Sequence, residues 1–80
     1  MGISRKQALA RIDGLSAQIE AHLRKMRSNP FALDYNHWRS EVNAWLAQIE
    51  ALARHVGRRS ETEVLNRVAQ WKQAIERPHD

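Results

Sequence analysis

The sequence predicts an all-α fold, an antiparallel up-down-up three-helix bundle with a shorter third helix. Apolar residues recur at alternating steps of three and four, and helix caps and helix breakers flank those runs. No stretch alternates long enough with the period of two that is typical of a strand. The 80 residues suffice for one domain, residues 1–80, with helices expected at about 4–28, 31–56 and 60–77.

The first predicted helix carries one apolar stripe with a single polar interruption: Leu9, Ile12, Ser16, Ile19, Leu23 and Met26. Ser4 and Gln7 fit the capping box that opens a helix. Pro30 disfavours a helical conformation at Asn29 and therefore ends this helix near residue 28.

Two residues inside the first helix leave alternatives open. Ser16 either fixes the register between helices or donates a hydrogen bond to a carbonyl one turn earlier. Gly14 either permits close approach by another helix or is a tolerated surface position.

A five-residue string at residues 17–21 recurs unchanged at residues 47–51. We interpret this repeat as a shared helix pattern, or at most an old duplication.

The second predicted helix has an uninterrupted apolar and aromatic stripe: Phe31, Tyr35, Trp38, Val42, Trp45, Ile49, Leu52 and Val56. Asn29 and Asp34 are alternative caps at its start. Gly57 suits the left-handed residue that closes a helix. The aromatic side chains lie on the stripe, so we expect them in or at the edge of the core.

The third predicted helix is the shortest, and its stripe is Val64, Val68, Trp71 and Ile75, widened by Leu65. Ser60 and Glu63 fit a second capping box, and Pro78 stops the helix. The short connections on either side of the second helix make sequence neighbours antiparallel.

The predicted difference in helix length leaves one end of the bundle uncovered. The large side chains expected there are Leu23, Met26, Phe31, Tyr35 and Trp38. A large exposed apolar patch is typical of an interface, so we predict a protein-interaction site, with a second copy of the chain as one candidate partner. The alternative is that residues 30–34 fold back and cover this end themselves.

The chain is basic, with 13 Lys and Arg against 9 Asp and Glu. Cations gather near the turn between the second and third helices and at the start of the first: Arg5, Lys6, Arg54, Arg58 and Arg59. This set suggests an alternative function, the binding of phosphate groups or nucleic acid. Cations in a last helical turn also stabilise the helix dipole, which explains part of the pattern without a ligand.

Motifs for chemistry are weak in this sequence. His37 and Glu41 share a helix face, and Glu76 and His79 have Glu-x-x-His spacing, but a di-metal bundle needs further inward carboxylates. The sequence has no cysteine, no nucleophile elbow and no phosphate-binding glycine loop. We therefore expect no enzyme, metal, cofactor or small-molecule substrate.

The sequence has no signal-peptide pattern and no apolar run long enough to span a membrane, so we expect a cytoplasmic protein.

Overall fold

Residues 2–29 and 31–76 are described by the structure, a computed structural model, and they form three α-helices. These are α1 (Arg5–Ser28), α2 (Tyr35–Ala53) and α3 (Arg58–Glu76). α2 packs against both neighbours, whereas α1 and α3 approach each other much less. The predicted all-α three-helix bundle is confirmed. α3 has 19 residues and is shorter than α1, which has 24, as predicted.

The start of α1 confirms the predicted capping box. The backbone N–H of Gln7 donates to the Ser4 hydroxyl at 3.1 Å, and the Ser4 N–H donates to the Gln7 side-chain carbonyl at 3.2 Å. At the other end, the Asn29 N–H donates to the Lys25 carbonyl at 2.9 Å. Asn29 therefore caps the end of α1, and its predicted alternative role as a cap for α2 is wrong. Pro30 lies outside the described residues.

α2 begins at Tyr35, four residues after the start predicted with Asn29 as the cap and next to the alternative start predicted with Asp34 as the cap. Two successive turns precede it, in which the Ala32 N–H donates to the Asn29 carbonyl and the Tyr35 N–H to the Ala32 carbonyl, both at 3.1 Å. The first helical bond runs from Trp38 N–H to the Asp34 carbonyl at 2.9 Å. Asp34 occupies the N-cap position, but its side chain makes no capping hydrogen bond. The prediction of a helical segment over 31–34 is therefore wrong.

α2 also ends earlier than predicted, at Ala53 instead of residue 56. The His55 N–H donates to the Leu52 carbonyl at 2.9 Å, which tightens the chain into a turn. Val56 remains buried although it lies beyond the helix. Gly57 has a φ of +91°, so its predicted left-handed conformation is confirmed. Its predicted role in closing α2 is wrong, because the helix ends at Ala53 with Arg54 as its C-cap.

α3 begins at Arg58, two residues earlier than predicted. The Gly57 carbonyl accepts the Glu61 N–H at 2.8 Å, so the glycine itself provides the first helical acceptor. Ser60 consequently lies inside the first turn, and its predicted capping box is wrong. The predicted stop at Pro78 lies outside the described residues.

The core is one continuous cluster of small and branched apolar side chains from all three helices. Its members are Ala8, Ile12, Ile19, Leu23, Met26, Val42, Leu46, Ile49, Ala53, Val56, Val64, Val68, Trp71 and Ile75. The buried Ser16 hydroxyl donates to the Ile12 carbonyl at 2.7 Å, which is the predicted bond to the preceding turn. Leu9 is only partly buried, and Ala8 takes the core position expected for it.

The bundle is elongated, with extents of 42 × 21 × 15 Å. Its Cα radius of gyration is 13.4 Å, whereas a compact chain of this length has about 12 Å. One end carries the connection between α1 and α2, and the other end carries the start of α1 and the turn between α2 and α3. Among the described residues, no helix combines the length and apolarity that crossing a membrane requires.

Candidate functional site

Two large apolar side chains stand out in the connection between α1 and α2. Phe31 is 90% exposed and Leu33 is 102% exposed. We call this pair the tip. The apolar spacing predicts Phe31 at an uncovered apolar end, but on a helical stripe, whereas the residue precedes α2. Leu33 was not predicted, because it lies off every heptad stripe in the sequence.

The remaining residues of the predicted apolar end are not uniformly exposed. Leu23 is 8% exposed and Met26 is 1% exposed, so the expectation that α3 leaves them bare is wrong. α2 and α3 have the same length, 19 residues each, and a short turn joins them. α3 therefore runs alongside α2 to the level where α2 begins, and only the connection after α1 lies beyond the packed helices.

Tyr35 and Trp38 form the partly buried base below the tip. Burial raises the pKa of the Tyr35 phenol above its ordinary value, and the nearby Arg39 guanidinium lowers that pKa by a smaller amount. The Lys25 ammonium lies 5.2 Å from the centre of the Trp38 ring, which places a cation over the aromatic face. The base of the tip is thus packed, whereas Phe31 and Leu33 are accessible to a partner.

The predicted cationic residues lie at the opposite end of the bundle, and all five are exposed: Arg5, Lys6, Arg54, Arg58 and Arg59. Within residues 2–29 and 31–76, none of these five side chains forms an ion pair. Arg58 and Arg59 are the first two residues of α3, and Arg54 directly follows the end of α2. We call this set the basic end.

A cleft of about 700 Å³ between α2 and α3 adjoins the basic end. Its lining combines Arg54 and His55 with two carboxylates, Glu50 and Glu61, and with Leu65. The Glu50 carboxylate already pairs with the ammonium of Lys72 at 3.1 Å. Because carboxylates repel phosphate oxygens, the cleft itself is a poor anion site. Phosphate binding at this end would depend on the exposed arginines outside the cleft.

A polar cluster joins α1 to α2 and lies nearer the tip than the basic end. One Glu41 oxygen lies 3.4 Å from His22 Nε2 and 3.3 Å from His37 Nε2. His22 is largely buried and its ring meets the Trp45 ring edge-on, with centroids 4.7 Å apart. Over the described part of the chain, no group of three or more histidine, aspartate or glutamate side chains is arranged to hold a metal ion. The cluster forms a contact between the two helices through His22, Glu41 and Trp45.

An open groove of about 530 Å³ lies between α1 and α2, nearer the basic end than the tip. The partly buried Leu15 and Leu52 and the exposed Gly14 and Ala51 line it. The groove was not predicted from the sequence, although the mid-helix glycine indicates a position open to another helix. The groove depends on how α1 sits against α2, which the helical periodicity does not specify.

Comparison with known proteins adds no further assignment. Neither the protein-family models, nor the curated proteins, nor the solved structures contain a significant match to this chain.

Proposed function

We propose that this chain is a small, non-enzymatic protein-interaction module that associates with a second copy through its tip. The observation that carries the proposal is the exposure of Phe31 and Leu33 within one short connection. Large apolar side chains exposed side by side are typical of contact surfaces, because their burial is favourable only when a partner covers them. The proposal includes no cofactor and no substrate.

The energetics of a short chain also favour association. A domain of this size buries a smaller fraction of its surface than a larger domain, and its free energy of unfolding is correspondingly small. Burying one phenylalanine or leucine side chain contributes about 1.5–3 kcal/mol. A contact that covers both residues of the tip in each copy therefore stabilises the folded chains by mass action.

Analytical ultracentrifugation of the full chain at micromolar concentration tests the proposal. We expect a dimer for the wild type and a monomer for the double variant Phe31→Ala/Leu33→Ala. Leu65→Ala is the matched control, because Leu65 is also an exposed apolar residue, at 40%, but lies on α3. A wild-type monomer up to millimolar concentration would refute self-association.

A second candidate function is phosphate or nucleic-acid binding by the basic end. The supporting observation is that Arg5, Lys6, Arg54, Arg58 and Arg59 are all exposed and make no ion pair with a described residue. Exposed, unpaired guanidinium groups attract phosphates without sequence preference.

Retention on heparin and on duplex DNA tests this second candidate. We expect retention that falls steeply between about 50 and 200 mM salt. Arg58→Glu/Arg59→Glu should abolish it, whereas Arg24→Glu/Arg27→Glu, which changes the net charge equally at the other end, should reduce it much less. Equal losses in the two variants would show that net charge alone, and not the basic end, causes retention.

A further inference from the structure

The α1–α2 groove is open on one side, and its lining combines apolar residues from both helices with the polar side chains of Arg11, Gln18 and Gln48. Leu15 and Leu52 are its large partly buried residues, and Gln18 and Gln48 are exposed beside them. A Cβ added to Gly14 would meet no atom within 4 Å, so the surface above this residue is open. The groove therefore has room for side chains from another molecule.

The two helices that form the groove share a repeat in sequence and burial, with an offset of thirty residues. Five of the six buried α1 positions have a buried counterpart thirty residues later, and the pairs are Ile12 and Val42, Ser16 and Leu46, Ile19 and Ile49, Leu23 and Ala53, and Met26 and Val56. The sixth, Ala8, corresponds to the partly buried Trp38. The identical strings at residues 17–21 and 47–51 have the same offset. α1 and α2 are antiparallel neighbours. Exchanging each α1 residue with the α2 residue thirty positions later therefore turns one contact between the two helices into a second, equivalent contact.

The same relation explains why the groove exists. His22 and Trp45 pack together, with ring centroids 4.7 Å apart. The positions equivalent to them under the thirty-residue offset are Leu52 and Leu15, which line the groove. Two aromatic rings thus fill one of two equivalent places, and two smaller leucines occupy the other. An aromatic or leucine side chain from another molecule would fill the space that the two smaller leucines leave open.

We propose that the tip of a second copy occupies this groove, with Phe31 against Leu15 and Leu52 and with Leu33 beside it. This inference rests on the proposed self-association and names its receiving surface. Among the described residues, the exposed large apolar side chains are Phe31, Leu33 and Leu65. The chain therefore presents both the side chains that fit the groove and the groove itself.

The area that such a contact buries matches that of a stable dimer. A large apolar side chain of the tip contributes roughly 150–200 Å². With a similar loss on the groove, two reciprocal contacts bury on the order of 1,200–1,600 Å², which is the size of a standard specific interface. Leu15 lies about 20 Å along α1 from its end at Ser28. Each copy then contributes one tip and one groove, and a two-fold dimer closes.

A variant that obstructs the groove without harming the helix tests the proposal. Gly14→Arg introduces a long side chain into the groove, and it also replaces a mid-helix glycine with a good helix former. We expect its dimer to dissociate at least tenfold more readily than the wild-type dimer in sedimentation equilibrium. Ala10→Arg adds the same charge to an exposed α1 position outside the groove and should leave dimerisation unchanged.

Disulfide trapping identifies the contact directly, because the chain has no cysteine of its own. We expect an equimolar mixture of Gly14→Cys and Leu33→Cys chains to form a mixed cross-linked dimer on mild oxidation. A mixture of Gly14→Cys and Leu65→Cys chains is the control and should not form one.

Two results would overturn the inference. Wild-type-like dimerisation of Gly14→Arg, or cross-linking of Leu33→Cys with itself in preference to Gly14→Cys, would exclude the groove. If Phe31→Ala/Leu33→Ala is then still monomeric, the proposed self-association stands with a tip-to-tip contact. A wild-type chain that never dimerises would refute both proposals.

Discussion

The His22 ring meets the Trp45 ring edge-on, with centroids 4.7 Å apart and an angle of 82° between the planes. This contact joins α1 to α2 outside the main core. His22 Nε2 also lies 3.4 Å from the Glu41 carboxylate, while its Nδ1 is buried without a hydrogen-bond partner in the described chain. The ring thus contributes favourable packing and one unsatisfied buried atom.

Substitution of His22 separates these two effects. His22→Ala should lower the free energy of unfolding by about 1–2 kcal/mol, because it removes the aromatic contact and leaves a gap. His22→Phe should be at least as stable as the wild type, since it keeps a ring and removes the unsatisfied nitrogen. Urea denaturation measures both. His37→Ala is the control: its side chain is exposed, and we expect a change below about 0.5 kcal/mol. A large loss in His22→Phe would contradict the packing argument.

Two glycines should respond to alanine with opposite signs. Gly14→Ala should raise the free energy of unfolding by about 0.5–1 kcal/mol, because the position is helical and the new methyl group meets nothing within 4 Å. Gly57→Ala should lower it by about 1–2 kcal/mol, because the φ of +91° is strained for a residue with a Cβ. Thermal and urea unfolding provide the measurement. Equal effects at both positions would be inconsistent with the turn geometry.

Alkaline pH should destabilise the fold through Tyr35. Burial raises the pKa of its phenol in the folded chain, so the unfolded chain loses this proton at lower pH. The resulting stabilisation is fully present below the unfolded pKa of about 10 and is lost as the pH rises through the folded pKa. Tyr35 is the single tyrosine, so phenolate absorbance reports its titration directly. A midpoint at or below that of the unfolded chain would contradict the prediction, and Tyr35→Phe is the control for the pH dependence of stability.

The two predicted capping serines should differ in their contribution to stability. Ser4→Ala should lower the free energy of unfolding by about 1 kcal/mol, since it removes the hydroxyl that accepts the Gln7 N–H. Ser60→Ala should change it by less than about 0.5 kcal/mol or raise it slightly, because this residue lies inside α3. Chemical denaturation of the two variants side by side decides the point. A comparable loss at Ser60 would indicate that α3 starts later in solution.

Sequence periodicity predicted the core of α3 and most of the core of α1, but it placed Leu9 where the structure buries Ala8. The same periodicity failed at Phe31, which is in phase with Tyr35 and Trp38 but precedes the helix. Helical spacing reports only the phase of a residue. It does not report where the backbone enters the helix, which two turns after Asn29 decide here.

The start of α3 shows a second limit of local signals. Gly57 and Ser60 are both plausible last residues before a helix, and the residues between them tolerate a helix equally well. The left-handed glycine and its carbonyl bond to Glu61 favour the earlier start. The groove could not be predicted from the sequence, because it depends on how whole helices are placed against each other. The exposure of Phe31 was predicted, whereas that of Leu33 was not, because Leu33 lies off every heptad stripe.

The main helix contacts join α1 to α2 and α2 to α3, that is, neighbours along the chain. Each contact closes a short loop, so little conformational entropy is lost before packing begins to stabilise the chain. Such low contact order is characteristic of domains that fold in microseconds to milliseconds. Rapid folding limits the time during which the core side chains of a nascent chain are open to aggregation.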